Sequence, residues 1–407
     1  MTLARGGLEV ADVIRTHRKD FEESRDGRVT SAERRVLNDI VACRTAALGG
    51  HVERCDRCDH LNISYNSCRN RHCPKCQASA PKDWVEQRQA DLLPVEYFHL
   101  VFTIPRELAA LALQNKKVIY DILFRTAAET LRQVAADPKH LGAEIGFLVV
   151  LHTWGQNLEH HPHVHCVVPG GGISADRLTW VPSRRGFFLP VKVLSRLFRG
   201  KFLHSLLDAF KKGELEFHGQ LAFLKKASEF RAHLAPLYKK DWFVYSKPPF
   251  GGPPQVLKYL ARYTHRVAIS NRRLVSVKDG AVSFLWKDYA HQCRKRVMTL
   301  TAVEFLRRFL CHVLPKGFVR IRHFGFLANR YRKEKLEECR RLLNVQTDRQ
   351  SSSDGHSSEH QTETESSEEK ASPCPACKDG KMMLVITFER GQSVPAIALA
   401  GDFYDTS

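Results

Sequence analysis

The sequence contains no long apolar run. Across its 407 residues, no uninterrupted apolar stretch approaches the roughly 20 residues that a membrane-spanning helix needs. Residues 1–20 mix charged and apolar side chains and lack the apolar core of a signal peptide. The Gly-x4-Gly-Lys-Ser/Thr loop of nucleotide-driven motors is absent as well. These absences predict a cytoplasmic protein that has no membrane partner and no helicase motor of its own.

Negative charge is also scarce. The chain has 44 Asp and Glu against 63 Lys and Arg, which gives a formal net charge of +19. The imbalance is concentrated in residues 251–340, where 20 basic residues face 6 acidic ones. Such a concentration predicts a polyanionic partner, most often nucleic acid, although a basic surface that only promotes solubility is the alternative. A chain of this length can bury at least one large core and is expected to form two or three domains.

Twelve cysteines in a chain with no export signal favour thiols or metal ligands over disulfides. Two Cys-x2-Cys pairs separated by fourteen residues have the spacing of a four-thiolate zinc site. The sequence therefore predicts a structural zinc ion held by Cys55, Cys58, Cys73 and Cys76, with Cys68 and His72 as alternates. Cys43 also lies within reach, and a second ion is an open alternative. The later pair, Cys374 and Cys377, has no Cys or His after it and is interpreted as a degenerate or unoccupied knuckle.

A second metal site is indicated by His163-Val164-His165, which leads into an apolar run and three glycines. Alternate side chains of a strand share one face, so both imidazoles should point the same way and can bind one ion. Gln156 is the predicted third ligand, with Glu159 and His152 also available. Imidazoles with an oxygen ligand suit a divalent ion that keeps positions open for a phosphate. A pair of ordinary core histidines is the competing interpretation.

Two tyrosines four residues apart, Tyr259 and Tyr263, would lie on one face of a helix. Core packing is the usual reason for such a pair, but here a basic stripe runs beside it, formed by Lys258, Arg262 and Arg266. Flanking cations favour a phenolate beside a phosphate backbone. Together with the metal site, the pair predicts attack of a tyrosine on a DNA phosphate, which forms a 5′-phosphotyrosine and frees a 3′-OH. The second tyrosine would allow a second cleavage.

As a set, these motifs resemble the transposases of the insertion-sequence-91 family, within the HUH endonuclease superfamily. The His163–His165 segment matches the HUH signature, and Tyr259 and Tyr263 match the two-tyrosine motif. Three further segments are similar to the family's first motif, zinc-binding domain and C-terminal part, namely Phe98–Pro105, Tyr65–Gln77 and Leu314–Gly325. The resemblance implies an α+β fold with an antiparallel sheet, a central histidine strand and the tyrosine helix beside it.

The resemblance also implies rolling-circle transposition of single-stranded element ends with Mg²⁺ or Mn²⁺. Host helicase or replication proteins would then unwind the donor. Four segments are expected: a helical segment with the zinc-binding domain (1–80), the HUH catalytic domain (81–345), a disordered linker (346–372) and a short tail with a Cys pair (373–407). The linker is rich in Ser, Glu and Thr and cannot bury enough apolar surface to order itself.

Two other functions fit the same residues. The chain could be a non-catalytic zinc-dependent DNA-binding protein, such as a decayed transposase that acts as a repressor. It could also be a metal-dependent hydrolase that activates water, with the tyrosines in structural roles.

Overall fold

The computed structural model describes residues 7–78, 91–247, 267–288, 294–343 and 372–392, together with a short strand at 404–405. Within these ranges the chain is an α+β protein with antiparallel sheets, as the sequence predicts. The predicted linker falls largely outside them, as do both tyrosines.

The described α-helices are α1 (Val10–Glu23), α2 (Ser31–Ala42), α3 (Ala109–Gln114), α4 (Lys116–Ala136), α5 (Val191–Lys211), α6 (Ala227–Lys239), α7 (Ala302–Leu310) and α8 (Arg332–Leu342). The described strands are β1 (Gly50–Cys55), β2 (Leu61–Tyr65), β3 (Tyr97–Thr103), β4 (Ala143–Glu144), β5 (Phe147–Trp154), β6 (His160–Pro169), β7 (Gly171–Ser174), β8 (Trp180–Pro182), β9 (Val244–Lys247), β10 (Leu274–Lys278), β11 (Ala281–Asp288), β12 (Arg294–Thr301), β13 (Ile321–Phe324), β14 (Met382–Phe388) and β15 (Tyr404–Asp405). Among these helices, none is both long and apolar enough to cross a membrane.

The largest sheet has five antiparallel strands in the order β13-β5-β6-β3-β9, so the histidine strand β6 is in the middle. Alternation along β6 directs Val164, Cys166 and Val168 into the main core, which also contains residues of α4, α5 and α6. The neighbouring strands supply Phe102 and Leu151 to the same core. The side chains that alternate with these point to the opposite face of the sheet, and that face carries the histidines.

The N-terminal helices share a second core with much later parts of the chain. Phe21 of α1 is buried in one cluster with Phe284 of β11 and Phe305 of α7. The loop that follows β2 adds a polar connection, because Arg71 donates to the backbone carbonyls of Pro315 (2.9 Å) and Phe318 (2.6 Å). The N-terminal region is therefore packed directly onto the residues that precede β13.

The sequence predicts helix from Val10 to about Ala47, and the structure divides this segment into α1 and α2. Asp26 and Gly27 adopt left-handed backbone conformations, with φ of 49° and 71°, which ends the first helix. Thr30 then begins the second with a capping box. Its hydroxyl accepts from the N–H of Glu33 (3.2 Å), and the Glu33 carboxylate accepts from the N–H of Thr30 (2.8 Å).

A small sheet joins the two ends of the chain. Its strand order is β14-β1-β2-β15, and β14 pairs antiparallel with β1 over the whole of Gly50–Cys55. The segment after the predicted linker thus completes a sheet of the N-terminal region.

Candidate functional site

Three histidines meet on the face of the large sheet that is turned away from the main core. His163 and His165 lie on β6, and His152 lies directly opposite His163 on β5. Each ring offers a nitrogen, and the three nitrogens lie within 4.8 Å of one another. His152 and His165 are buried, whereas His163 is half-buried. A donor set of three imidazoles on neighbouring strands fits a divalent cation bound at its open side.

Hydrogen bonds fix the orientation of two of these rings. The Nδ1 of His163 lies 2.7 Å from the backbone carbonyl of His161. The Nδ1 of His165 lies 2.8 Å from the Nε2 of His99, a buried residue of β3. Because Nδ1 of each ring is engaged by the protein, Nε2 is the nitrogen that would face a cation.

His99 was not among the residues predicted from the sequence. It lies in Phe98–Pro105, the segment that is similar to the family's first motif, where a single histidine among apolar residues is the signal that could have marked it. Burial lowers the pKa of His99 to about 4, and the charge of Lys247 adds to the effect. His99 is therefore neutral near pH 7, and it orients the His165 ring without adding a positive charge beside the site.

The predicted third ligand, Gln156, lies in the turn between β5 and β6 and is half-buried. Its backbone carbonyl accepts a hydrogen bond from the Arg273 guanidinium. Among the His, Cys, Asp and Glu side chains of the described residues, His152 takes the third place beside the histidine pair. The role of Gln156 as a ligand stays a prediction.

Two further histidines have structural roles, one of them half-buried (His160) and the other buried (His312). His160 lies 2.7 Å from the Tyr120 hydroxyl, and its Nδ1 lies 3.0 Å from the carbonyl of Ala109. His312 lies between the Thr153 hydroxyl (3.2 Å) and the carbonyl of Leu158 (3.1 Å). Desolvation lowers the pKa of His160 to about 4 and that of His312 well below its usual value. These neutral rings hold the β5–β6 hairpin against α3, α4 and the end of α7.

The remaining predicted residues of the catalytic group are Lys258, Tyr259, Arg262, Tyr263 and Arg266. All five lie outside the described residues. Their roles stay predictions.

The predicted zinc ligands are brought together, but not as one set. The first cluster contains Cys43, Cys68, Cys73 and Cys76, and the second contains Cys55, Cys58, Cys374 and Cys377. The predicted set of Cys55, Cys58, Cys73 and Cys76 is thus split between two clusters. Cys55 and Cys58 lie at the end of β1 and meet the cysteines that precede β14, the strand that is hydrogen-bonded to β1. The loop after β2 carries Cys68, Cys73 and Cys76 back to Cys43 at the end of α2. The tail pair, which the sequence indicates as a degenerate or unoccupied knuckle, lies beside Cys55 and Cys58 in the second cluster.

The first cluster has the spacing of a metal-binding thiol group. The Sγ of Cys76 lies 3.5 Å from that of Cys43 and 3.6 Å from that of Cys68. The thiols shift one another's pKa in opposite directions, because contact with Cys68 and Cys73 lowers the pKa of Cys43 to about 7 whereas the pKa values of Cys68 and Cys73 are raised. All four would bind as thiolates only with a metal ion between them. Cys68, one of the two predicted alternates, belongs to this cluster.

His72, the other alternate, has a different partner. Its Nε2 accepts from the N–H of Leu314 at 3.5 Å, and burial lowers its pKa to about 3. Its neighbour Arg71 binds the carbonyls of the same loop. His72 therefore helps to attach the thiol-rich loop to the segment before β13.

Comparisons with known proteins also indicate an N-terminal zinc-binding domain followed by a transposase domain. A family model described as "Transposase zinc-binding domain" matches residues 13–104, and one described as "Putative transposase" matches residues 146–335. The chain is 54% identical over 387 residues to the "Putative transposase y4qJ" of Sinorhizobium fredii, covering 95% of this chain and 97% of the relative. It is 28% identical over 328 residues to the transposase for insertion sequence element IS801 of Pseudomonas savastanoi pv. phaseolicola, covering 79% and 77%. No solved structure matches the chain.

These matches define the class as transposases with an N-terminal zinc-binding domain. The chain belongs to the insertion-sequence-91 family of transposases, so DNA is its partner.

The first cluster yields a test of its ligand set. Cys68→Ser should lower the zinc content of the purified protein by one ion per chain, because three thiolates hold zinc less well than four. His72→Gln should leave the zinc content unchanged, since His72 faces the Leu314 N–H. Metal analysis of the two variants by mass spectrometry measures both. Loss of zinc in His72→Gln, with zinc retained in Cys68→Ser, would contradict this assignment.

Proposed function

We propose that this transposase nicks and rejoins single-stranded DNA at the ends of a mobile element through a 5′-phosphotyrosine intermediate, as in rolling-circle transposition. Tyr259 and Tyr263 are the nucleophiles in this proposal, and His152, His163 and His165 hold the catalytic divalent cation. The observation that carries the proposal is the convergence of three ring nitrogens within 4.8 Å on one sheet face.

The donor set bears on the identity of the cation. Mg²⁺ prefers oxygen ligands, whereas imidazole nitrogens suit transition metals, so three histidines favour Mn²⁺ over Mg²⁺. The bound ion would polarise the scissile phosphate as a Lewis acid. The carbonyl of His161 requires a proton on Nδ1 of His163, so Nε2 is the nitrogen of that ring that would bind the ion. A proton on Nδ1 of His165, donated to the Nε2 of His99, would have the same effect in the second ring.

The described residues that flank the tyrosine segment in sequence support the proposed role of Tyr259 and Tyr263. Before the segment, Lys247 lies directly opposite His99 on the neighbouring strand. After the segment, the carbonyl of Ala268 accepts from Arg273 (3.3 Å), which also donates to the carbonyl of Gln156. The chain thus leaves and re-enters the described part beside the strands that carry the histidines.

In the proposed reaction the phenolic oxygen of one tyrosine attacks the phosphorus in line. A P–O(Tyr) bond forms while the P–O3′ bond breaks. The phenol loses its proton, and the departing 3′ oxygen gains one to become the free 3′-OH. Attack by another 3′-OH on the phosphotyrosine reverses these changes and rejoins the strand. Lys258, Arg262 and Arg266 bind the phosphate backbone in this scheme.

Exposed aromatic rings beside the histidines support a single-stranded substrate. Tyr245 of β9 lies opposite Val101 of β3, and Val101 lies opposite His165, so all three share one face. Phe243 comes two residues earlier, with its ring nearly parallel to that of Tyr245 at 6.4 Å. The two rings are 63% and 45% exposed. Exposed rings of this kind stack on unpaired bases, which a duplex keeps inside.

The covalent step can be tested with an oligonucleotide that carries an element end. Incubated with Mn²⁺, the protein should form an adduct with the labelled strand that survives denaturation. The double substitution Tyr259→Phe, Tyr263→Phe should abolish the adduct because no phenolic oxygen remains there, and His163→Ala should abolish it by removing a cation ligand. Tyr331→Phe is the matched control, since Tyr331 is an exposed tyrosine of the segment before α8.

Two results of that experiment would refute the proposal. Cleaved DNA without any adduct would indicate hydrolysis by water. Binding without cleavage would indicate a DNA-binding repressor.

The single-strand preference makes a separate prediction. Phe243→Ala and Tyr245→Ala should each weaken binding of a single-stranded oligonucleotide roughly tenfold, because one base–aromatic stack contributes about 1–3 kcal/mol. Binding of a duplex should hardly change. Phe223→Ala removes a comparably exposed ring elsewhere and serves as the control. Fluorescence anisotropy measures all three, and an equal loss in the Phe223 variant would argue against the stacking role.

A further inference from the structure

The second thiol cluster is formed by the two ends of the chain. Cys55 is the last residue of β1 and Cys58 follows that strand, whereas Cys374 and Cys377 precede β14. The Sγ atoms of Cys55 and Cys377 are 3.7 Å apart, although 322 residues separate them in sequence. The Sγ atoms of Cys58 and Cys374 are also 3.7 Å apart, with a sequence separation of 316 residues.

These distances fit one tetrahedral ion. With Zn–S bonds of about 2.3 Å, the sulfurs of a tetrahedral site lie about 3.8 Å from one another. A disulfide would need about 2.05 Å, so the four thiols are not arranged as two covalent bridges. Four thiolates in a tetrahedron are the donor set of structural zinc or of iron–sulfur centres.

Backbone N–H groups around the sulfurs also favour metal binding by these cysteines. The N–H of Arg57 donates to the Sγ of Cys55 (3.4 Å), and the N–H of Gly380 donates to the Sγ of Cys377 (3.3 Å). Such bonds stabilise thiolates. Residue 380 must also be glycine for the two ends to approach, because a Cβ there would lie 2.3 Å from the Cys55 Sγ.

Apolar burial alone offers little attachment for the tail. Within β14 only Met382 and Phe388 are buried, and the five residues between them are exposed. The strand is held mainly by its backbone pairing with β1 and by bonds between Asp56 and Lys381. A short strand with so small a core needs a further cross-link, and a metal ion is a common one.

We propose that Cys55, Cys58, Cys374 and Cys377 bind a second structural zinc ion that fastens the C-terminal tail to the N-terminal zinc-binding domain. The family model for that domain matches residues 13–104 and so includes only half of this ligand set. Such an ion closes the chain into a loop of more than three hundred residues that contains the histidine site. The inference does not depend on the DNA chemistry.

Metal content is the first test. The full chain purified with zinc present should hold two zinc ions, and the double variant Cys374→Ser, Cys377→Ser should hold one. Retention of that one ion shows that the first cluster, and hence its domain, is still folded. Cys311→Ser is the control, because Cys311 belongs to neither cluster, and it should retain both. A single zinc ion in the unaltered protein, two in the double variant, or iron in place of zinc would each overturn the proposal.

Tail attachment is the second test. A protease site inserted after Gln350 allows the chain to be cut between the catalytic part and the tail. After cutting, the tail peptide should co-elute with the rest of the protein on size-exclusion chromatography. In the Cys374→Ser, Cys377→Ser background it should separate. Co-elution in both proteins would mean that β-sheet pairing alone holds the tail, and that zinc does not fasten it.

Discussion

The pairing of β5 with β6 is the interaction on which the histidine site depends. Period-two alternation places the apolar residues of both strands against α4 and α5 and directs the intervening imidazoles to the other face. A shift of one residue in the register would turn His163 and His165 into the main core. The burial of Val164, Cys166 and Leu151 therefore fixes the orientation of the histidines as firmly as any bond within the site.

The thiol clusters and the histidine site belong to one packed body. The loop that holds the first cluster also carries Arg71 and His72, and both bind the backbone of the segment 314–318. From there β13 runs directly into the large sheet beside β5. The zinc-binding domain is thus attached to an edge of the sheet that bears the histidines, through half-buried polar contacts and the shared core of α1 and α7.

Local patterns in the sequence are sufficient to predict those features that depend on neighbouring residues alone. The alternation around His163 and His165 predicts the strand and the shared face, and the structure confirms the α+β fold with its central histidine strand. The cysteine grouping could not be predicted in the same way. The spacing of a Cys-x2-Cys pair does not show which other cysteines it meets, and for Cys55 and Cys58 this depends on β14 pairing with a strand more than three hundred residues earlier. The third imidazole depends likewise on the β5–β6 register, and His99 on the pairing of β3 with β6.

We propose that three imidazoles from two neighbouring strands bind one divalent cation. Pulsed electron paramagnetic resonance of the Mn²⁺-loaded protein tests it directly, because it detects nitrogen nuclei bonded to the metal. We expect nitrogen couplings from histidine in the unaltered protein, weaker in His152→Ala and unchanged in Gln156→Ala. A spectrum without nitrogen coupling, or one that changes in Gln156→Ala and not in His152→Ala, would contradict it.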